Sequence, residues 1–305
     1  MDALDIFIQQ VINGLTTGMI YALIALGYTM VYGIIQLINF AHGEVFMVGA
    51  YLGLSAFLLI THFTGLLSGS VLLLGVVILL AMLGTALLGA VVERFAYRPL
   101  RQAPRLAPLI TAIGVSFLLQ NVVMLAYGPV DQRFPDVVKI VKFNWGPLSV
   151  SNLQLMIAAS SLGLMLALHL FIQKTRTGKA MRALADDQQA ASLMGINVGR
   201  IIALAFVLGS SLAGAGGVMF GAYYNTVNFH DGYLAGLKAF TAAVLGGIGN
   251  IPGAMVGGLL MGMLESLGAG YISSQWKNVI AFFVLIVILL FRPQGLLGSR
   301  VVKKV

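Results

Sequence analysis

Long apolar runs alternate with short polar breaks along this chain, and the runs predict its elements. They lie near residues 7–33, 44–62, 70–92, 107–127, 152–172, 198–221, 234–249, 251–270 and 277–291, most of them close to the ~20 residues that cross a bilayer as a helix. The run at 234–249 is short, so eight or nine crossings are expected. No ten-residue alternating pattern recurs, which argues against a β-barrel, whereas a helix satisfies its backbone within lipid unaided. The predicted fold is an all-α, polytopic transmembrane helical bundle with some short or broken helices, a single domain over residues 1–305.

Composition supports that reading. Hydrophobic residues make up 59% of the chain, charged residues only 9%, and mean hydropathy is +0.96, against about 25% charged residues in soluble domains. Cysteine is absent, which excludes disulfides, thiolate metal sites and cysteine nucleophiles. The start carries Asp2 and Asp5 and no basic residue, unlike a cleavable signal peptide, so the first span is expected to be retained, with no soluble domain at either end.

Net charge is +8, which in a bilayer protein reports topology rather than nucleic-acid binding. Arg94, Arg98, Arg101 and Arg105 share one break; Lys174, Arg176, Lys179, Arg182 and Arg200 lie in or beside another; Arg292, Arg300, Lys303 and Lys304 follow the last run. These thirteen of the eighteen basic residues fall on one side if the first run starts outside, giving an outward N-terminus and a cytoplasmic C-terminus. The loop 128–151, with Pro129, Pro135, Pro147 and an alternating run Val137–Phe143, is then an extracytoplasmic cap with a short hairpin.

The longest polar interruption on the basic side is 175–197. Thr177 is suited to cap a helix from near Gly178, and Gly195 to end it, leaving about fourteen residues of good helix formers in between. On such a helix Met181, Leu184, Ala185, Ala191 and Ser192 share one face and Lys179, Arg182 and Asp186 the other. A solvated connector or a helix resting on headgroups would look the same; a docking surface for a second soluble chain is the sharper reading. No phosphate-binding loop is present, since Gly178-Lys179 lacks both the upstream glycine and the following hydroxyl, so nucleotide hydrolysis is not expected of this chain.

Three Gly-rich segments, Asn39–Glu44, Leu212–Gly217 and Gly246–Gly253, are expected to interrupt helices and expose backbone polar groups. Asn39…Gly43…Gly49 and Asn250…Gly253…Gly257 echo one another, which suggests an inverted repeat. Close helix packing at Gly14/Gly18, Gly253/Gly257 and Gly258/Gly262 accounts for much of the remaining glycine. Ionisable residues within spans are costly, so Glu44, Lys238 and Glu265, with Asn39, His42, Thr241 and Asn250 as polar company, are the substrate-path candidates. Glu44 has a plainer reading as the acidic residue of a helix first turn. His62, His169 and His230 stand alone, and no Ser–Lys, Ser–His or carboxylate pair has usable spacing; no metal or catalytic residue is assigned.

The run GKAMRALADDQQAASLMGINVGRIIALAFVLGSSLAGAGG resembles the cytoplasmic-loop signature of importer permeases powered by ATP-binding-cassette subunits. Its wording is that of the LivH type of branched-chain amino-acid permease. GLTTGMIYALIALGYTMVYGIIQLINFAHGEVFMVGAYL, AFTAAVLGGIGNIPGAMVGGLLMGMLE and FRPQGLLG agree, and the resemblance runs from about Gln10 to Gly298. It implies an inner-membrane, multi-pass subunit that pairs with a second permease of the LivM type. Two cytoplasmic ATPases of the LivG and LivF kind would lie below, and a periplasmic binding protein would deliver leucine, isoleucine or valine. ATP would bind the partner ATPases, with no cofactor on this chain. By the same resemblance Ala180–Gly195 is the coupling helix, with Arg182, Asp186, Asp187 and Gly195 as its contacts. An ion-coupled secondary transporter is the alternative, disfavoured by the few acidic residues in the spans; an intramembrane enzyme is a distant third.

Overall fold

The computed structural model describes residues 3–64, 70–101, 103–104 and 106–298; Arg105, Arg300, Lys303 and Lys304, used above for orientation, lie outside them. Each predicted apolar run is a helix. In chain order these are α1 (Ala3–Ile35), α2 (His42–Thr64), α3 (Val71–Val92), α4 (Leu106–Tyr127), α5 (Asn152–Lys174), α6 (Arg176–Asp186), α7 (Gln188–Leu193), α8 (Val198–Tyr224), α9 (Asp231–Gly246), α10 (Ile251–Tyr271) and α11 (Lys277–Phe291). Among the described residues eight helices are long and apolar enough to cross a membrane. The short run expected at 234–249 is α9, whose 16 residues fall below that length.

The helices form an inner set and an outer set. Within their most apolar stretches α1, α2, α8 and α10 are 78, 67, 67 and 50% buried, against 11% for α4 and 6% for α11. Since the outer helices are apolar all round, their exposed faces fit lipid or another membrane chain.

Small residues let the inner helices approach. Gly14 of α1 packs on Gly262 and Met263 of α10, and Gly18 on Gly258 and Leu259, so the two helices run antiparallel with backbones nearly touching. A Cβ at Gly18 would sit 2.8 Å from Leu259 Cα. Gly18→Val is therefore expected to cost about 1–3 kcal/mol through overpacking, seen as a lowered thermal unfolding temperature in detergent. An unchanged transition would disprove this close approach.

The expected break at Leu212–Gly217 does not exist. Those residues lie within unbroken α8 and are buried, where Gly214 receives Thr85 and Gly217 receives the α2 backbone at Phe46 and Ala50. Here glycine makes a packing groove rather than an interruption.

One end of the bundle carries a small cap. Strands β2 (Lys142–Trp145) and β3 (Leu148–Ser151) form an antiparallel hairpin, and β1 (Gln132–Arg133) pairs with β4 (Thr226–Val227). The predicted hairpin thus exists, but later in the chain than Val137–Phe143, with only Lys142 and Phe143 shared. The Gln9 amide clamps it to α1: Nε2 donates to Ser149 O at 3.0 Å, and Ser149 N donates to Oε1 at 2.9 Å.

At the other end the C-terminal tail finishes α9. Gly247, with φ of +105°, turns the chain out of the helix. Leu296 and Leu297 donate their N–H groups to the carbonyls of Leu245 and Gly246 at 2.8 and 3.0 Å, which would otherwise be orphaned at the helix end. Asn250 Nδ2 donates to Leu297 O at 2.6 Å.

Candidate functional site

The polar stretch 175–197 folds as two helices, which corrects the single helix expected there. Thr175, not Thr177, is the first cap: its Oγ1 accepts from Gly178 N at 3.0 Å. The break falls at Asp187, whose φ of −157° and ψ of 110° leave the helical region while Oδ1 accepts from Gln189 N and Ala190 N. An aspartate competes with helix continuation by capping the next turn. Gly195, at φ +81°, ends α7, with Ile196 N donating back to Ala191 O.

Most of the side chains expected to face a partner have work inside the chain. Arg182 Nη1 donates to Ile172 O at 2.6 Å and to Gln173 O and Oε1 at 3.2 and 3.0 Å, a cation on the last carbonyls of α5. Asp187 is the α7 cap and Gly195 its terminator, while Asp186 is exposed. Met181, Leu184 and Ala191 are buried as expected, but Ala185 and Ser192 are exposed. Leu193 and Met194, on neither of the faces expected above, are 88% and 83% exposed at the end of α7. Two large apolar side chains standing free where the amphipathic pattern should have turned polar were the available signal. Gln188 Nε2 donates to Ile34 O at 2.5 Å, tying α7 to the last turn of α1.

A second locus lies inside the bundle, where α2 and α9 both begin. Gly27 of α1 packs against His42 and the Gly209 carbonyl; Gly209 is eleven residues into α8, so α2 starts roughly 16 Å up from the start of α8. Gly43 packs on Gly232 and Gly236 of α9, so the two helix N-termini meet at that depth. The approach to α2, residues 36–41, is not helical. Asn39 Oδ1 accepts from Ala41 N at 3.1 Å and from the Tyr97 hydroxyl at 2.9 Å. Tyr97 ends a π-helical turn, Glu93–Tyr97, whose Glu93 is buried and ion-paired with Arg101. His42 packs edge-on against the Tyr28 ring.

Glu44 stands in the first turn of α2 and is 1% exposed. Ser116 Oγ donates to its Oε1 at 3.3 Å, and its Oε2 has no hydrogen-bond partner among the described residues. The side chain lines a cavity of about 330 Å³ whose other walls include Phe40, Ile113, Ser116, Phe117 and Leu237.

Lys238 and Glu265 form a third cluster. Lys238 Nζ donates to Glu265 Oε1 at 2.9 Å, and the Tyr21 hydroxyl donates to Oε2 at 2.8 Å, linking α9, α10 and α1. Both charged residues are buried, 8% and 5% exposed. Adjacent cavities of about 180 and 160 Å³ reach Glu265 from the cap end, past Lys277. Thus Asn39, His42 and Glu44 come together, and Lys238 joins Glu265. The other two candidates are employed locally: Thr241 Oγ1 bonds Leu237 O of its own helix, and Asn250 Oδ1 caps α10 through Gly253 N. Tyr21, Tyr97 and Ser116 were missed, because a hydroxyl in an apolar run carries no sign of its partner. Among the described residues no group of three or more acidic, histidine or cysteine residues could hold a metal.

Comparison with known proteins agrees with this architecture. The family described as branched-chain amino acid transport system / permease component matches residues 10–289. The high-affinity branched-chain amino acid transport system permease protein BraD of Pseudomonas aeruginosa is 48% identical over 304 residues, 98% of each chain. The corresponding protein LivH of Escherichia coli K12 is 45% identical over 306 residues, again 98% of each. A probable branched-chain amino acid transport permease protein of Methanocaldococcus jannaschii is 27% identical over 90% of this chain and 88% of its own. A match over nearly the whole length, laid on a bundle in which eight described helices are long and apolar enough to cross a membrane, leaves one conclusion: this chain belongs to the branched-chain amino acid transport system permease family.

Proposed function

We propose that this chain is the membrane-spanning subunit of an ATP-driven importer for leucine, isoleucine, valine or related amino acids. The observation that carries the reading is end-to-end similarity to permeases named for that transport. In this reading the chain sits in a bacterial inner membrane with its N-terminus periplasmic and its C-terminus cytoplasmic. It forms the route with a LivM-like permease, receives substrate from a periplasmic binding protein and is driven by two LivG- and LivF-like ATPases. It needs no cofactor, because ATP binds the partners.

The helix pair α6–α7 is the coupling element. Its inner face is anchored by Arg182 and Gln188, so a push on Leu193, Met194 and Asp186 from below would move the ends of α5 and α1 together. Motion of α1 would reach residues 36–41, where Asn39 holds the start of α2. The route would pass the junction of α2 and α9, where broken helices turn polar groups inward.

The test is uptake of labelled leucine into proteoliposomes holding this chain with the partner permease, the ATPases and the binding protein. Uptake is expected only with ATP inside the compartment that the ATPases face. Uptake driven by a sodium or proton gradient without ATPases would overturn the reading in favour of a secondary transporter.

A further inference from the structure

We propose that the cavity at Glu44 is a subsite for the α-ammonium group of the transported amino acid, with the branched side chain lying against its apolar walls. This deepens the importer reading above and rests on it for the identity of the ligand.

The Glu44 carboxylate is only partly satisfied. A buried carboxylate normally has its lone pairs filled, because leaving one unpaired in a low-dielectric interior costs several kcal/mol. At Glu44 a single long bond from Ser116 serves Oε1, and Oε2 rests against Gly232 without a donor. Among the described residues no lysine or arginine lines the cavity. The N-terminal ends of α2 and α9 meet at the carboxylate and favour its negative charge, so the described residues support an anion there but supply no cation. An ammonium carries the missing charge and three donors.

The walls select what is attached to that ammonium. Phe40, Ile113, Phe117 and Leu237 offer aliphatic and aromatic surface, and about 330 Å³ lies at the small end of ligand cavities, roughly 300–1,000 Å³. A branched aliphatic side chain fits such walls; a charged side chain would not. Ile113 and Phe117 are 41% and 61% exposed on α4, so the cavity opens toward the outer face of the bundle, where a second permease would complete it. The polar cluster at Lys238 is different: its ion pair is already satisfied internally.

The absence of cysteine gives a direct test. Ile113→Cys places one thiol in the cavity wall of the full chain in membrane vesicles. A cationic methanethiosulfonate is expected to modify it about tenfold faster than an anionic one, as a carboxylate at this range attracts one and repels the other. Leucine and isopentylamine should slow modification, while 4-methylpentanoic acid, which lacks the amine, should not. Adding Glu44→Gln should erase both differences.

Equal rates for the two reagents, protection by the acid as well as the amine, or protection by sodium ions alone would each overturn the proposal. ATP-driven leucine uptake by the unsubstituted chain, assembled with its partners, separates the two readings. Amine protection without such uptake would sink the importer reading but leave the cation subsite standing. Uptake without amine protection would do the reverse.

Discussion

Glu265→Gln is expected to lower the unfolding free energy of the chain by about 3–5 kcal/mol, the usual cost of stranding one charge of a buried pair. The neutral amide leaves the Lys238 ammonium without its counterion between α9 and α1. Lys238→Met should cost a similar amount by stranding the carboxylate. The double variant Lys238→Met/Glu265→Leu should recover most of the loss, because neither charge is then left behind. A residue of about 1 kcal/mol should persist, since the Tyr21 hydroxyl loses its acceptor, and Tyr21→Phe in that background should remove it. A double-mutant cycle on denaturant unfolding in detergent measures the coupling. Additive losses would mean that the pair does not hold α9 in place.

The second large effect concerns assembly. Leu193→Asp should reduce retention of the ATPases on the purified permease by about 30-fold, corresponding to the ~2 kcal/mol of an interface anchor. Because Leu193 is 88% exposed, thermal unfolding of the isolated permease should not change. Arg182→Ala should behave in the opposite sense. It removes three bonds at the end of α5 and should destabilise the isolated chain before it affects docking. Full ATPase retention by Leu193→Asp would remove the apolar tip of α7 from the interface.

These contrasts show what could be read from sequence and what could not. The existence of the nine apolar helices followed from run length, since lipid demands it. Which faces are buried did not follow. A residue of α4 facing outward and one of α2 facing inward are equally apolar, so the period that marks a core in a soluble helix is nearly erased here. Glycine was ambiguous for a related reason. At 246–253 it breaks a helix, whereas at 212–217 it clears a groove for Thr85 and the α2 backbone, and composition is alike in both. The polar segment was legible as a capped amphipathic piece, yet its hinge at Asp187 was not, because an aspartate is equally at home on a solvated face. Glu44, Lys238 and Glu265 stood out because charge in a span is rare. Their different situations, one carboxylate unpaired and the other neutralised, needed the partner helices.

The bond between the C-terminal tail and α9 has a bearing on how the protein is made. At 16 residues, α9 is about 24 Å long, short of the ~30 Å hydrocarbon thickness. Its last two carbonyls, those of Leu245 and Gly246, are met by Leu296 and Leu297, which follow α10 and α11 in the chain. During synthesis α9 therefore leaves the ribosome with an unfinished end, and it stays so until two further helices have been inserted and the FRPQGLLG segment has been translated. Ribosome stalling or truncation before residue 296 should leave a bundle whose first eight helices are made but whose α9 is open to proteolysis near Gly247–Asn250. Closing of the α9 end is then a docking event that waits on synthesis of Leu296 and Leu297.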